Sequence, residues 1–154
     1  MKKKSLFIDA YLSLALLAED RFRINPAVIL AQSAIESGWG TSVLAVKHNN
    51  FFGITGYGKR NEWWDGKTVE LGKHSLKFRV YRSAADSFMD YASLIRNSYT
   101  RAACVSYDPK AFAEAIAYSP YISEVNGDDR ESYKRLLTDI SHYVAFQTAS
   151  RYGA

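Results

Sequence analysis

One acidic side chain closes the most apolar stretch of this 154-residue chain. Residues Ala27-Val28-Ile29-Leu30-Ala31-Gln32-Ser33-Ala34-Ile35 are almost all apolar or small, and Glu36 follows them. Asn25 can cap a helix, Pro26 suits its first position, and Gly38 with Gly40 stops it after Ser37, so Glu36 falls in the last turn of a central helix. Desolvation disfavours a charged carboxylate there, and the negative end of the helix dipole acts in the same direction. Both raise its affinity for a proton, which is what a general acid requires near neutral pH. The same spacing also accommodates an ordinary surface charge at a frayed, solvated helix end. Trp63 and Trp64 are a second chemical signal, because an indole presented to solvent is a platform for the face of a pyranose.

Other chemistries find little support. His48, His74 and His142 are far apart with no carboxylate at ligand spacing, so neither a metal site nor another cofactor is expected. Cys104 is the only cysteine, which excludes an intramolecular disulfide and reads as a small buried hydrophobe. Gly53, Gly56 and Gly58 are not followed by a helical pattern, so they do not form a phosphate-binding loop. Three of the four excess positive charges sit in Lys2, Lys3 and Lys4, which leaves no basic face for a nucleic acid.

The elements that must position Glu36 follow from the hydrophobic pattern. Phe7, Ala10, Tyr11, Leu14 and Leu17 predict an amphipathic helix from about Leu6 to Glu19, its stripe facing the core. Asp9, then Glu19, Asp20 and Arg21, argue against reading this segment as a signal peptide, and no stretch has the length of a membrane span. From Thr41 to Gly58 the Asn and Gly content predicts loop with one short helix. Thr68, Val69 and Leu71, then Phe78, Val80 and Tyr81, predict a hairpin across Gly72-Lys73-His74. Ser83-Ala84-Ala85-Asp86 reads as a capping box ahead of Phe88, Tyr91, Ala92 and Ile95. Asp108-Pro109 starts another helix, and Tyr133, Leu136, Leu137, Ile140 and Val144 mark a closing one. At this length residues 1–154 read as one domain, mainly α with a single β-hairpin, and as a monomer.

The segment Ala31-Gln32-Ser33-Ala34-Ile35-Glu36-Ser37-Gly38-Trp39-Gly40, then Asn50-Phe51-Phe52-Gly53-Ile54, then Phe78-Arg79-Val80-Tyr81-Arg82-Ser83 and Asp90-Tyr91, resembles the bacterial glucosaminidases of glycoside hydrolase family 73. The resemblance covers nearly the whole chain. It implies a lysozyme-like α+β fold with the hairpin beside a catalytic cleft. The implied activity is cleavage of the peptidoglycan β-1,4 bond between N-acetylglucosamine and N-acetylmuramic acid at the bacterial wall, in the periplasm or outside the cell.

The resemblance makes Glu36 the catalytic acid, with Ser37 beside it to orient the acetamido group. The family's second, hairpin-borne glutamate falls at Glu70 within Thr68-Val69-Glu70-Leu71, where Leu71 replaces the usual tyrosine; Glu62 is a nearby competitor. The family's cleft tyrosine falls at Tyr121 in Ser119-Pro120-Tyr121-Ile122-Ser123, followed by an insertion from Glu124 to Arg130. Asn50 and Phe52 belong to the turn facing the acid and are expected to meet the sugar, as is Trp64. A lytic transglycosylase on the same fold and a wall-binding module without activity stay open as alternatives.

Overall fold

In the computed structural model, residues 2–123 and 129–152 are described, so 124–128 of the inserted stretch lie outside the described residues. Nine elements follow in order: α1 Lys2–Phe22, α2 Pro26–Ser37, α3 Val43–His48, β1 Thr68–Leu71, β2 Leu76–Arg79, α4 Ala84–Ser98, α5 Thr100–Cys104, α6 Pro109–Ala117 and α7 Arg130–Tyr152. No helix among the described residues is long and apolar enough to cross a membrane.

Helix α2 is the axis of the molecule, packed between α1 and α7, with α4 on α1 and α6 on α7. Every residue from Ala27 to Ala34 is buried, including Gln32 and Ser33. A helix buried on all faces cannot rely on water at its ends, so its caps must come from side chains and turns. Asn25 Oδ1 accepts from Ala27 N at 3.0 Å, while Asn25 Nδ2 donates to the Ser106 carbonyl at 3.0 Å. Ser106 Oγ in turn accepts from Asn25 N, so one asparagine both caps α2 and ties it to the turn before α6. At the other end Gly38 adopts the left-handed conformation (φ 57°) and Trp39 N donates back to the Ala34 carbonyl at 2.8 Å, a Schellman closure. Glu36 is therefore held in a helix whose two ends are both fixed.

The predicted boundaries of α2, the Ser83 cap of α4 and the Asp108 cap of α6 all match the structure. Helix α1 extends beyond its predicted range at both ends, and its buried side is rotated. Phe7, Ile8, Leu12, Ala15 and Ala18 are buried, whereas Ala10 and Leu17 are exposed, Leu17 at 58%. The predicted stripe captured one edge of a face set by Ile8 and Leu12. Cys104 is exposed rather than buried, because it ends the five-residue helix α5 on the outer surface.

Strands β1 and β2 pair antiparallel, with Glu70 opposite Lys77, and the second strand ends at Arg79 rather than at Tyr81. The hairpin packs chiefly on itself. Its link to the helical body runs through the Thr55↔Phe78 bridge and backbone bonds from Gly56 N to the Lys77 carbonyl and from Arg79 N to the Ile54 carbonyl.

Replacing Asn25 by Ala removes the α2 cap and a tie to Ser106 together. A loss of about 1–2 kcal/mol in unfolding free energy is expected from urea denaturation.

Candidate active site

The last turn of α2 presents Glu36, half-buried, to a cavity of about 510 Å³. Around it stand Phe52 and Gly53 from the loop after α3, Tyr99 after α4, Tyr121 after α6, and Tyr133 on α7. Tyr133 Oη donates to Glu36 Oε2 at 2.8 Å. The other carboxylate oxygen faces Gly53: a Cβ placed on that glycine would lie 3.7 Å from Glu36 Oε1. Gly53 also has φ +66°, a conformation that side chains with a Cβ rarely adopt. The absence of a side chain at 53 thus lets the turn pass close to that oxygen.

The turn carrying Gly53 is folded around one buried amide. Asn50 Oδ1 accepts from Phe52 N at 3.2 Å and Ile54 N at 3.3 Å. Asn50 Nδ2 donates to the Ile54 carbonyl at 3.0 Å and to the Arg79 carbonyl at 2.9 Å. All four bonds go to backbone groups of the turn and of the strand beside it. The ring of Phe52 stacks on Tyr91 with centroids 4.0 Å apart, which fixes the turn against α4.

Burial and then the charge of Glu36 push the hydroxyls of Tyr91, Tyr121 and Tyr133 well above the ordinary phenol value. All three phenols are therefore neutral donors at physiological pH. Tyr133 spends its hydrogen on Glu36, whereas Tyr121 Oη has no hydrogen-bond partner among the described residues. A buried hydroxyl beside a cavity and without a partner is one that a ligand can satisfy.

Below the hairpin a second polar cluster holds the cavity rim. Asp90 of α4 accepts from Arg79 Nη1 at 2.8 Å, from Asn61 Nδ2 at 2.7 Å, and from the Tyr81 hydroxyl. The Arg79 guanidinium also donates from Nε to the Thr55 carbonyl at 3.1 Å and lies 3.9 Å from the centroid of the Trp64 ring. Trp64 Nε1 donates to the Lys67 carbonyl at 2.7 Å. Arg79 thereby joins the hairpin base, the 55–67 loop and α4.

The family model described as Glucosaminidase, mannosyl-glycoprotein endo-beta-N-acetylglucosaminidase, matches residues 12–152. The chain belongs to the glucosaminidase family. It is similar to the exo-glucosaminidase LytG of Bacillus subtilis, with 34% identity over 96 residues covering 60% of this chain and 34% of that protein. It is also similar to the peptidoglycan hydrolase FlgJ of Pseudomonas aeruginosa, 28% identical over 134 residues, which cover 77% of this chain and 32% of the relative. The chain thus spans about a third of the length of these curated relatives. Among solved structures, the peptidoglycan hydrolase from Sphingomonas sp. A1 superposes with a TM-score of 0.72 at 28% identity, covering 97% of this chain and 96% of that one. The lysozyme-like reading of the fold stands with these neighbours.

Within this glucosaminidase fold the structure brings Glu36, Phe52 and Tyr121 to one cavity. Ser37, Asn50 and Trp64 are instead buried, at 0%, 1% and 3% exposure. Ser37 Oγ donates to the Ser33 carbonyl at 2.6 Å and accepts from Gly40 N at 2.8 Å, so its hydroxyl closes the α2 terminus. Trp64 is covered by Arg79, and Trp63 packs edge-on against Phe22 at 5.6 Å. Glu70 is exposed on β1 and does not line the cavity, and Glu62 is exposed and paired with Arg21 at 2.7 Å. Tyr133, read from sequence only as a core marker, is the residue that meets Glu36. Its phenol was the available signal, since a tyrosine on a buried stripe must find a partner for its hydroxyl.

The Arg79 and Asp90 side chains are 12% and 4% exposed, so Arg79→Met strips a buried carboxylate of its counter-charge. A loss of about 3 kcal/mol or more in unfolding free energy is expected, read by urea denaturation.

Proposed function

We propose that this chain cleaves the peptidoglycan glycan at the β-1,4 bond between N-acetylglucosamine and N-acetylmuramic acid, acting within the strand on the bacterial cell wall, in the periplasm or outside the cell. The observation that carries the reading is Glu36, half-buried at a cavity and hydrogen-bonded by a neutral phenol, in a member of the glucosaminidase family. Relatives that are a glucosaminidase and peptidoglycan hydrolases support the substrate class.

In this reading Glu36 protonates the departing glycosidic oxygen as positive charge develops on the N-acetylglucosamine ring. The carboxylate left behind is met at once by the Tyr133 hydroxyl, already in place. Tyr121 offers its hydroxyl to the substrate. Phe52 contributes its ring edge to the cavity wall. Ser37, Asn50 and Trp64 serve the sugar indirectly, by holding the α2 terminus, the Gly53 turn and the hairpin base.

Glu70 is proposed as the residue that activates water after the hairpin closes on bound glycan. The hairpin is tied to the cavity rim through Thr55, which lines the cavity and bridges Phe78. Motion of one therefore displaces the other. The exposed position of Glu70 favours a second reading, in which the substrate's own acetamido group is the nucleophile.

Purified protein is expected to release soluble fragments with N-acetylglucosamine reducing ends from peptidoglycan, and Glu36→Gln to lose at least about a hundredfold in kcat/KM. Wild-type turnover by that variant removes Glu36 from the mechanism. Anhydromuramic ends in the mass spectrum would mark a transglycosylase, and sedimentation with wall material without release would mark a binding module. Glu70→Gln is expected to lower kcat by about tenfold or more; an unchanged kcat assigns the second step to the acetamido group.

A further inference from the structure

Tyr99 and Pro120 line the cavity of Glu36 and also a second cavity, of about 430 Å³, beside it. Three helix ends build the second one: Ser98 closes α4, Thr100 and Arg101 open α5, and Tyr118 follows α6. Helix α5 packs on both α4 and α6. Ala102 of α5 and Ala115 of α6 line the cavity with single methyl groups, which lets the helices approach and leaves the space beside them unfilled. The ring of Tyr99 meets that of Tyr121 edge-on with centroids 5.5 Å apart, so the wall shared by the two cavities is held in place.

The two sides of the second cavity differ in charge. On the α6 side the carboxylates of Glu114 and Glu131 lie near the Tyr118 hydroxyl, and Glu131 is engaged by that hydroxyl and by Lys134 at 3.6 Å. On the α5 side stands Arg101, exposed and without an ion pair among the described residues. Its guanidinium is always charged, and its fork of donors matches the two oxygens of a carboxylate. An acidic chain entering this cavity therefore has a cation to meet at one wall only.

Peptidoglycan alternates its two sugars. With N-acetylglucosamine placed at Glu36, the strand presents a muramic acid next in either direction, and that sugar bears a peptide stem with free carboxylates. The glycan itself is uncharged, because the lactyl acid is tied up in the amide to the stem. A cation next to the reaction cavity thus has a partner on the stem and none on the sugars.

We propose that the second cavity seats the peptide stem of the muramic acid beside the cleaved bond, with Arg101 pairing one of the stem carboxylates. This rests on the chain cleaving peptidoglycan. Tyr99 and Pro120 then separate sugar from peptide, and the protein distinguishes stem-bearing strands from bare ones.

The test compares soluble glycan strands that keep their stems with the same strands after cleavage of the lactyl amide, which removes the stem and leaves a lactyl carboxylate. The wild type is expected to prefer stem-bearing strands by about fivefold in kcat/KM. The preference should sit in KM, since a contact away from the reacting bond stabilises bound substrate and transition state alike, and should shrink as salt is raised. In Arg101→Gln the ratio between the two strands is expected to fall to about one, with Arg101→Lys in between. Ala115→Leu, a substitution that suits a helix, fills the cavity and should lower the ratio without touching the cation. A wild type indifferent to stems, or a ratio unchanged in Arg101→Gln, overturns the proposal. Equal losses on both strands in that variant also overturn it, because the cation then serves the sugars or the lactyl carboxylate. A protein that cleaves neither strand sinks the glycosidase reading instead; calorimetric affinities for the two strands, measured on Glu36→Gln with and without Arg101→Gln, then decide the stem seat alone, and equal affinities overturn it.

Discussion

A carboxylate at the end of a buried helix is held against two opposing forces, its loss of water and the negative pole of the helix dipole. At Glu36 a neutral hydroxyl donates to one oxygen, and the other oxygen faces Gly53. Much of the rest of the fold can be understood as what that arrangement demands. The helix must be fixed at both ends, which Asn25 and Gly38 do. A second helix must bring a phenol to the right height, which places Tyr133 in the first turns of α7. A loop must pass close to the carboxylate, which requires glycine at 53.

The polar groups that build the site are themselves mostly buried, and each is satisfied by backbone or by a neighbouring side chain. Asn50 makes four such bonds and thereby holds a turn that has no regular secondary structure. Asp90 gathers Arg79, Asn61 and Tyr81, so the loop from 55 to 67 and the hairpin base share one anchor. These clusters cost desolvation but specify a single geometry, because any other path of the loop would leave amide or carboxylate oxygens without donors. Precision at Gly53 comes from this network more than from hydrophobic packing.

The strongly punctuated parts of the fold were legible in the sequence. Asn25-Pro26 and Gly38 bounded α2 because capping acts over a few residues and leaves a local record. The α1 stripe was misjudged at Ala10 and Leu17, since which side of a helix is buried depends on neighbours that the local pattern does not name. Cys104 was misread for the same reason: burial of a small residue is a tertiary property. At the site, Glu36 stood out because a carboxylate beside an apolar run is locally anomalous. Ser37, Asn50 and Trp64 are buried and bonded to backbone, since residue type alone does not say whether a polar atom faces substrate or backbone. Tyr133 was hidden because a tyrosine on an apolar stripe looks like packing until the facing helix is in place.

The two sides of the cavity differ in how they are held, and this bears on how catalysis is divided between them. Glu36, Gln32, Tyr91 and Tyr133 lie on three helices whose buried faces interlock, so their geometry is set before any substrate arrives. The hairpin carrying Glu70 packs chiefly on itself and meets the body through one bridge, a few backbone bonds and the Arg79–Asp90 pair at its base. Elements with few packed neighbours open and shift at the least free-energy cost. In the proposed mechanism, proton delivery, which tolerates little error in distance, falls to the rigid side, and the step that must admit water or substrate to the sugar's other face to the side that can move. A stiff hairpin would have to hold a second carboxylate near the first in the empty cavity, where the two charges would repel. In the proposed mechanism Glu70 stays in solvent until glycan is bound, which avoids that repulsion.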